Sequence, residues 1–85
     1  MILERVDFLT LQQKEEILKI WNQEYPETLN YTSVQFEDYL MKLDDQHHIL
    51  IKDPLTLKIL AWYFDFLRDN ERWFAIIVRQ EYHHP

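Results

Sequence analysis

The side chains able to do chemistry are few, and their types restrict what that chemistry is. Two histidine pairs, His47-His48 and His83-His84, with Asp44 and Asp45 close to the first, are the residues that invite a metal reading. Neighbours on a strand point to opposite faces, so each pair offers one ligand to a given site unless the backbone bends. A structural or surface role is therefore expected, and no metal. Asp65, set among aromatic residues, and Glu71 are the carboxylates best placed for a general base, which needs a raised pKa and access to the substrate proton. A cross-strand partnership with Arg72 explains Asp65 equally well. Trp21, Tyr25 and Tyr31 would line an acceptor pocket or, at helical spacing, form core. Ser33 is the only serine and has the position of a helix-start residue. With no cysteine there is no thiolate nucleophile, no disulfide and no sulfur-rich zinc site, which fits a reducing compartment.

Composition narrows the classes further. The chain has no glycine, and phosphate-cradling or dinucleotide-binding turns need that residue for positive φ and close backbone approach. Walker-type and Rossmann-type sites are excluded. The net charge of −6 and the scatter of nine basic residues argue against nucleic acid as a partner. No apolar run approaches the ~20 residues of a membrane span, and the acidic start is unlike a signal peptide, so a cytoplasmic protein is expected. A length of 85 residues, 47% of them hydrophobic, fits one small domain, 1–85, with one core.

These residues must be positioned by a hairpin. The runs Lys58 to Leu67 and Arg72 to Arg79 are rich in β-branched, aromatic and aliphatic side chains, and Arg68-Asp69-Asn70-Glu71 connects them. Alternation puts Leu60, Trp62, Phe64 and Phe66 on one face and Ile59, Ala61, Tyr63 and Leu67 on the other, so both faces are apolar. Upstream, Ile2 to Leu9 reads as a short strand. Thr10-x-x-Gln13 and Thr32-x-x-Gln35 are capping boxes that start two helices. The first helix carries a stripe of Leu11, Ile17, Leu18, Trp21 and Tyr25 and ends at Pro26. The second carries Phe36, Tyr39, Leu40 and Leu43. An irregular connector, Glu27 to Tyr31, joins them. Asp44-Asp45-Gln46 breaks the pattern, His47 to Lys52 is a strand, and Asp53 to Thr56 is a turn.

The expected fold is α+β: an antiparallel four-stranded sheet with two helices on one face, in the order β-α-α-β-β-β. One sheet face then stays uncovered beside Trp73 or Phe74, and the last strand is an unprotected edge. A partner is expected there.

The element order, with the run Trp73-Phe74-Ala75-Ile76-Ile77-Val78-Arg79-Gln80-Glu81-Tyr82, resembles the N-terminal half of a GNAT-type N-acetyltransferase. Ile76-x-Val78 matches the end of the family's fourth strand, and Glu81-Tyr82 matches the approach to its pyrophosphate loop. His83 takes the Gln/Arg position, and the loop glycines are absent. The resemblance implies a half-fold in which main-chain groups at Ile76, Ile77 and Val78 pair with the pantetheine arm of acetyl-coenzyme A, for direct attack by an amine. It implies a chain that is inactive alone for lack of the loop, or one complemented by a C-terminal half. The alternative is a non-catalytic module derived from that family, acting by self-association or by protein-partner binding through the open sheet face and edge. Net acidity mildly favours cationic amine acceptors.

Overall fold

The computed structural model describes residues 1–79. Strand β1 (Ile2–Val6) is followed by helix α1 (Leu11–Glu24), a 3-10 turn (Glu27–Leu29), helix α2 (Ser33–Met41), and strands β2 (Asp44–Lys52), β3 (Ile59–Arg68) and β4 (Glu71–Val78). The strands form one antiparallel sheet in the spatial order β1-β2-β3-β4. This is the α+β architecture expected from the sequence.

Local chemistry sets the boundaries. Both helices start on complete capping boxes, in which the Thr10 and Thr32 hydroxyls accept from the Gln13 and Gln35 N–H groups while each glutamine side chain accepts from the threonine N–H. In α1 the buried face is Ile17, Ile20 and Trp21, whereas Leu11 is 71% exposed. At about 100° per residue Leu11 lies about 120° from Ile17, outside the arc that meets the sheet. The expected stripe was too wide at its N-terminal end and left out Ile20. β1 stops at Val6 rather than Leu9, and Leu9 is buried as a loop residue of the core. The connector is not irregular throughout, since Glu27–Leu29 closes a 3-10 turn. α2 ends at Met41 instead of near Leu43. The β3–β4 turn is two residues long, with Asp69 and Asn70 at φ 52° and 63°, the geometry that suits the right-handed twist of the flanking strands.

Two register shifts shape the sheet. One falls between Ile51 and Lys52, where Lys52 pairs with Ile59 and Ile51 with Ala61, so Leu60 is the extra residue. As a result Ile59, not Leu60, joins Trp62, Phe64 and Phe66 in the core cluster, which corrects the simple alternation. Glu16 of α1 accepts from the Ile59 N–H at 3.0 Å, and the Arg79 guanidinium donates to the Ile59 carbonyl at 2.6 Å, so the irregular backbone is satisfied. The second shift lies between Asp44 and His47, within the stretch expected to be a break, where Asp45 has φ 47°.

The helices cover one sheet face only. Trp62, the largest fully buried side chain, stacks on Phe64 with centroids 4.1 Å apart and meets Trp21 and Phe36 of the helices. On the other face, cross-strand register sets Leu3 against Ile51, Arg5 against Ile49, Ile76 against Tyr63 and Phe74 against Asp65. Phe74 is 72% exposed, Leu3 67% and Ile76 58%. No helix among the described residues is long and apolar enough to cross a membrane.

Candidate functional site

The uncovered face carries the charged cluster closest to a reaction site. Strand alternation sends His47 to this face and His48 into the core, as the period of two requires. His47 and Asp65 are directly paired across β2 and β3. Their side chains meet, with His47 Nδ1 2.9 Å from Asp65 Oδ1. Arg72 of β4 donates to the same Asp65 oxygen at 2.6 Å, and the Tyr63 hydroxyl donates to Asp65 Oδ2 at 3.1 Å. The bulge at Asp45 brings a second carboxylate to the cluster: Asp45 Oδ2 accepts from Arg72, and its Oδ1 lies 3.7 Å from His47 Nε2. Beside this ladder is a depression of about 460 Å³, walled by Arg5, Asp7, His47, Ile49, Tyr63 and Asp65.

Electrostatics decides what the ladder can do. Burial pushes the Asp65 carboxyl up, but the hydrogen bonds from His47, Arg72 and Tyr63 outweigh it and hold the group below the ordinary aspartate range. A general base near neutral pH needs the opposite shift, so Asp65 is the cross-strand partner of Arg72 and not the raised-pKa base that its aromatic surroundings allowed. The Arg72 guanidinium is in turn held more firmly protonated by Asp65, against the opposing pull of desolvation and with further help from Asp45. Burial and the bond to Asp65 raise the Tyr63 phenol. His47 has Nδ1 engaged by Asp65, whereas Nε2, 3.7 Å from Asp45 Oδ1, is beyond hydrogen-bond reach of that carboxylate on a half-exposed ring. Glu71 pairs with Arg68 at the hairpin end and does not line the depression. The arrangement reads as an ion-pair ladder that ties β2, β3 and β4 together, beside a shallow polar hollow.

Among the described residues no three histidine or carboxylate side chains converge as a metal site. His83 and His84 lie outside the described residues, as does the stretch from Gln80 to Tyr82.

Comparison with family models, curated proteins and solved structures finds no match to the chain.

Ile76, Ile77 and Val78 occupy the end of β4, which with β1 is one of the two edge strands of the sheet. Ile76 is on the open face across from Tyr63, Ile77 is in the core across from Trp62, and Val78 lies across from Ala61. They are not part of the ladder. Trp21, Tyr25 and Tyr31 do come together, and Tyr39 joins them around a separate cavity near the end of α1. Trp21 is also core, as its helical spacing allowed. Tyr39 belongs to the stripe of α2, and its Phe36/Leu40 neighbours hid its second role.

His48 is the polar residue that sequence reasoning assigned no specific place. It is 1% exposed and stacked on Trp62, whose Nε1–H donates to His48 Nδ1 at 3.0 Å. The imidazole proton therefore sits on Nε2 and is donated to Gln46 Oε1 at 2.8 Å. Gln46 Nε2 in turn donates to the Leu40 carbonyl at 3.1 Å, at the end of α2. A signal existed in Gln46-x-His48, two polar residues on the core face of a strand.

Proposed function

We propose that the chain is a non-catalytic protein-binding module that docks through the open face and outer edge of β4, with a second copy of itself as the first partner. The observation that carries this reading is the exposure of Phe74 and Ile76, neighbours on β4, on a sheet face that no helix among the described residues covers, with Leu3 exposed on the same face at the far edge, in β1. Apolar side chains gathered on an open face drive association. The edge adds direction. The Arg79 N–H donates inward to the Leu60 carbonyl, so alternation turns the backbone groups of Phe74 and Ile76 outward. A twofold antiparallel pairing centred on Ala75 would set Phe74 of one copy opposite Ile76 of the other. Aromatic with β-branched pairs are a favourable cross-strand combination. Sedimentation velocity over a micromolar to near-millimolar series tests this. Concentration-dependent dimer, abolished in Phe74→Lys or Ile76→Lys with unchanged circular dichroism, is the expected result. A single monomeric species throughout would overturn it.

A second reading rests on the element order, which is the one that the resemblance to GNAT-type N-acetyltransferases implies for their N-terminal half. In that reading acetyl-coenzyme A lies along β4 at Ile76 to Val78, and the chain needs a complementing half for activity. The outward-turned backbone of Ile76 supports an extended ligand there. Ligand at ~100 times its dissociation constant adds ~2.7 kcal/mol, a melting shift of several degrees in so small a domain. A melt unchanged by saturating acetyl-coenzyme A would end this reading.

A further inference from the structure

A cavity of about 520 Å³ opens where α1 ends, and four aromatic side chains wall it. Trp21 comes from the last turn of α1, Tyr25 is the extended residue that caps its end, Tyr31 belongs to the connector and Tyr39 to α2. The Trp21 ring centroid lies 4.8 Å from that of Tyr25, 5.4 Å from Tyr31 and 5.9 Å from Tyr39. Tyr31 and Tyr39 stack at 5.8 Å. The connector that carries Tyr31 is pinned. Asn22 accepts from the Tyr31 N–H at 2.9 Å and donates to the Tyr31 carbonyl at 3.0 Å, and Trp21 Nε1–H donates to the Leu29 carbonyl at 3.1 Å. Two side chains of α1 thus hold the aromatic wall in place before any ligand arrives, which lowers the ordering cost of binding.

The lining selects the ligand. Thr28 and Asn30 add polar atoms, but among the described residues no carboxylate lines the cavity. A primary ammonium would leave its N–H donors and strong hydration uncompensated against aromatic faces. A quaternary ammonium has no N–H to satisfy, and the faces of Trp and Tyr attract it through their quadrupoles. Convergence of the phenols is also visible in Tyr39, whose hydroxyl is pushed up by burial and by Tyr31, against the opposing effect of Arg68, with Tyr25 adding to the rise. The chain's net charge of −6 brings cations toward it at long range.

We propose that this cavity binds a trimethylammonium group, carried by a choline-type small molecule or by a trimethylated lysine side chain. Calorimetric titration of the full chain with choline, and with its neutral carbon isostere in which a tert-butyl group replaces trimethylammonium, is the test. Choline binding at least about tenfold tighter than the isostere is expected, since only the cation gains from the ring faces. Tyr25→Leu and Tyr31→Leu should each weaken choline by about tenfold, while Tyr25→Phe and Tyr31→Phe, which keep the rings and the packing, retain it. Arg68→Ala removes a cation whose charge reaches Tyr39 although it does not line the cavity, and should tighten choline. Titrating a peptide with trimethyllysine beside its unmodified twin separates the sources: stronger binding of the methylated peptide than of choline assigns the site to a protein side chain, and the reverse assigns it to a small molecule. Equal binding of choline and isostere, or no binding of choline and methylated peptide alike, overturns the proposal.

Discussion

Trp62 and His48 show how one buried side chain couples the fold to pH. The Trp62 N–H occupies His48 Nδ1, so protonating the imidazole means breaking that bond inside the core. Burial dominates and lowers the His48 pKa to about 4, against a smaller upward pull from Asp65. Above the unfolded value near 6.5 the ring is neutral in both states, and its contribution to stability is complete. As the pH falls from there through 4, the unfolded chain takes up a proton that the folded chain refuses, and folding loses roughly 3 kcal/mol. Urea unfolding at a series of pH values should show that slope, and His48→Gln should flatten it. Asp65 acts in a separate, more acidic window: its contribution is complete above the ordinary aspartate value and is lost as the pH falls from there toward its depressed folded value.

At the scale of the elements, the termini and turns follow local rules that single substitutions expose. Removing the N-cap hydroxyl in Thr10→Ala leaves the Gln13 N–H without its acceptor and should cost ~1 kcal/mol in chemical denaturation. Leu57 sits at φ 62°, where a Cβ is penalised by about 1–2 kcal/mol, and its side chain is exposed. Leu57→Gly relieves that strain at the expense of unfolded-state entropy, so a net gain of up to ~1 kcal/mol is expected from the same measurement. Elements of this kind were legible in the sequence. The capping boxes, the Asp69-Asn70 turn and the two strands around it depend on residues close in the chain. The two bulges were not legible, because whether Asp45 or Leu60 becomes the extra residue depends on how two distant strands align. The Asp45–Arg72–Asp65–His47 ladder was hidden for the same reason, although the Asp65–Arg72 part could be read from hairpin geometry. Leu11 misled because a hydrophobic residue in a first turn counts toward periodicity even where no sheet lies beneath it.

For the whole molecule, the division between the two sheet faces determines behaviour. The core face unites Trp62, Phe64, Phe36, Ile17 and Ile20 under the helices, whereas the open face sets apolar side chains on a ladder of charges in water. Truncating the first kind leaves a cavity and should cost several kcal/mol, as in Phe64→Ala at ~3–5 kcal/mol. Replacing the second kind removes no buried contact of that size. Phe74→Lys, which gives up mainly its 6.4 Å stacking on Tyr63, should therefore change unfolding free energy by about 0.5 kcal/mol or less. The same substitution places a charge on the outer strand, an arrangement that blocks edge pairing and breaks up the apolar surface. Binding of a hydrophobic dye and light scattering at high concentration should fall sharply in this variant while urea unfolding hardly moves. If both fell together, Phe74 would be part of the folding core and the open face would not be a surface held for a partner.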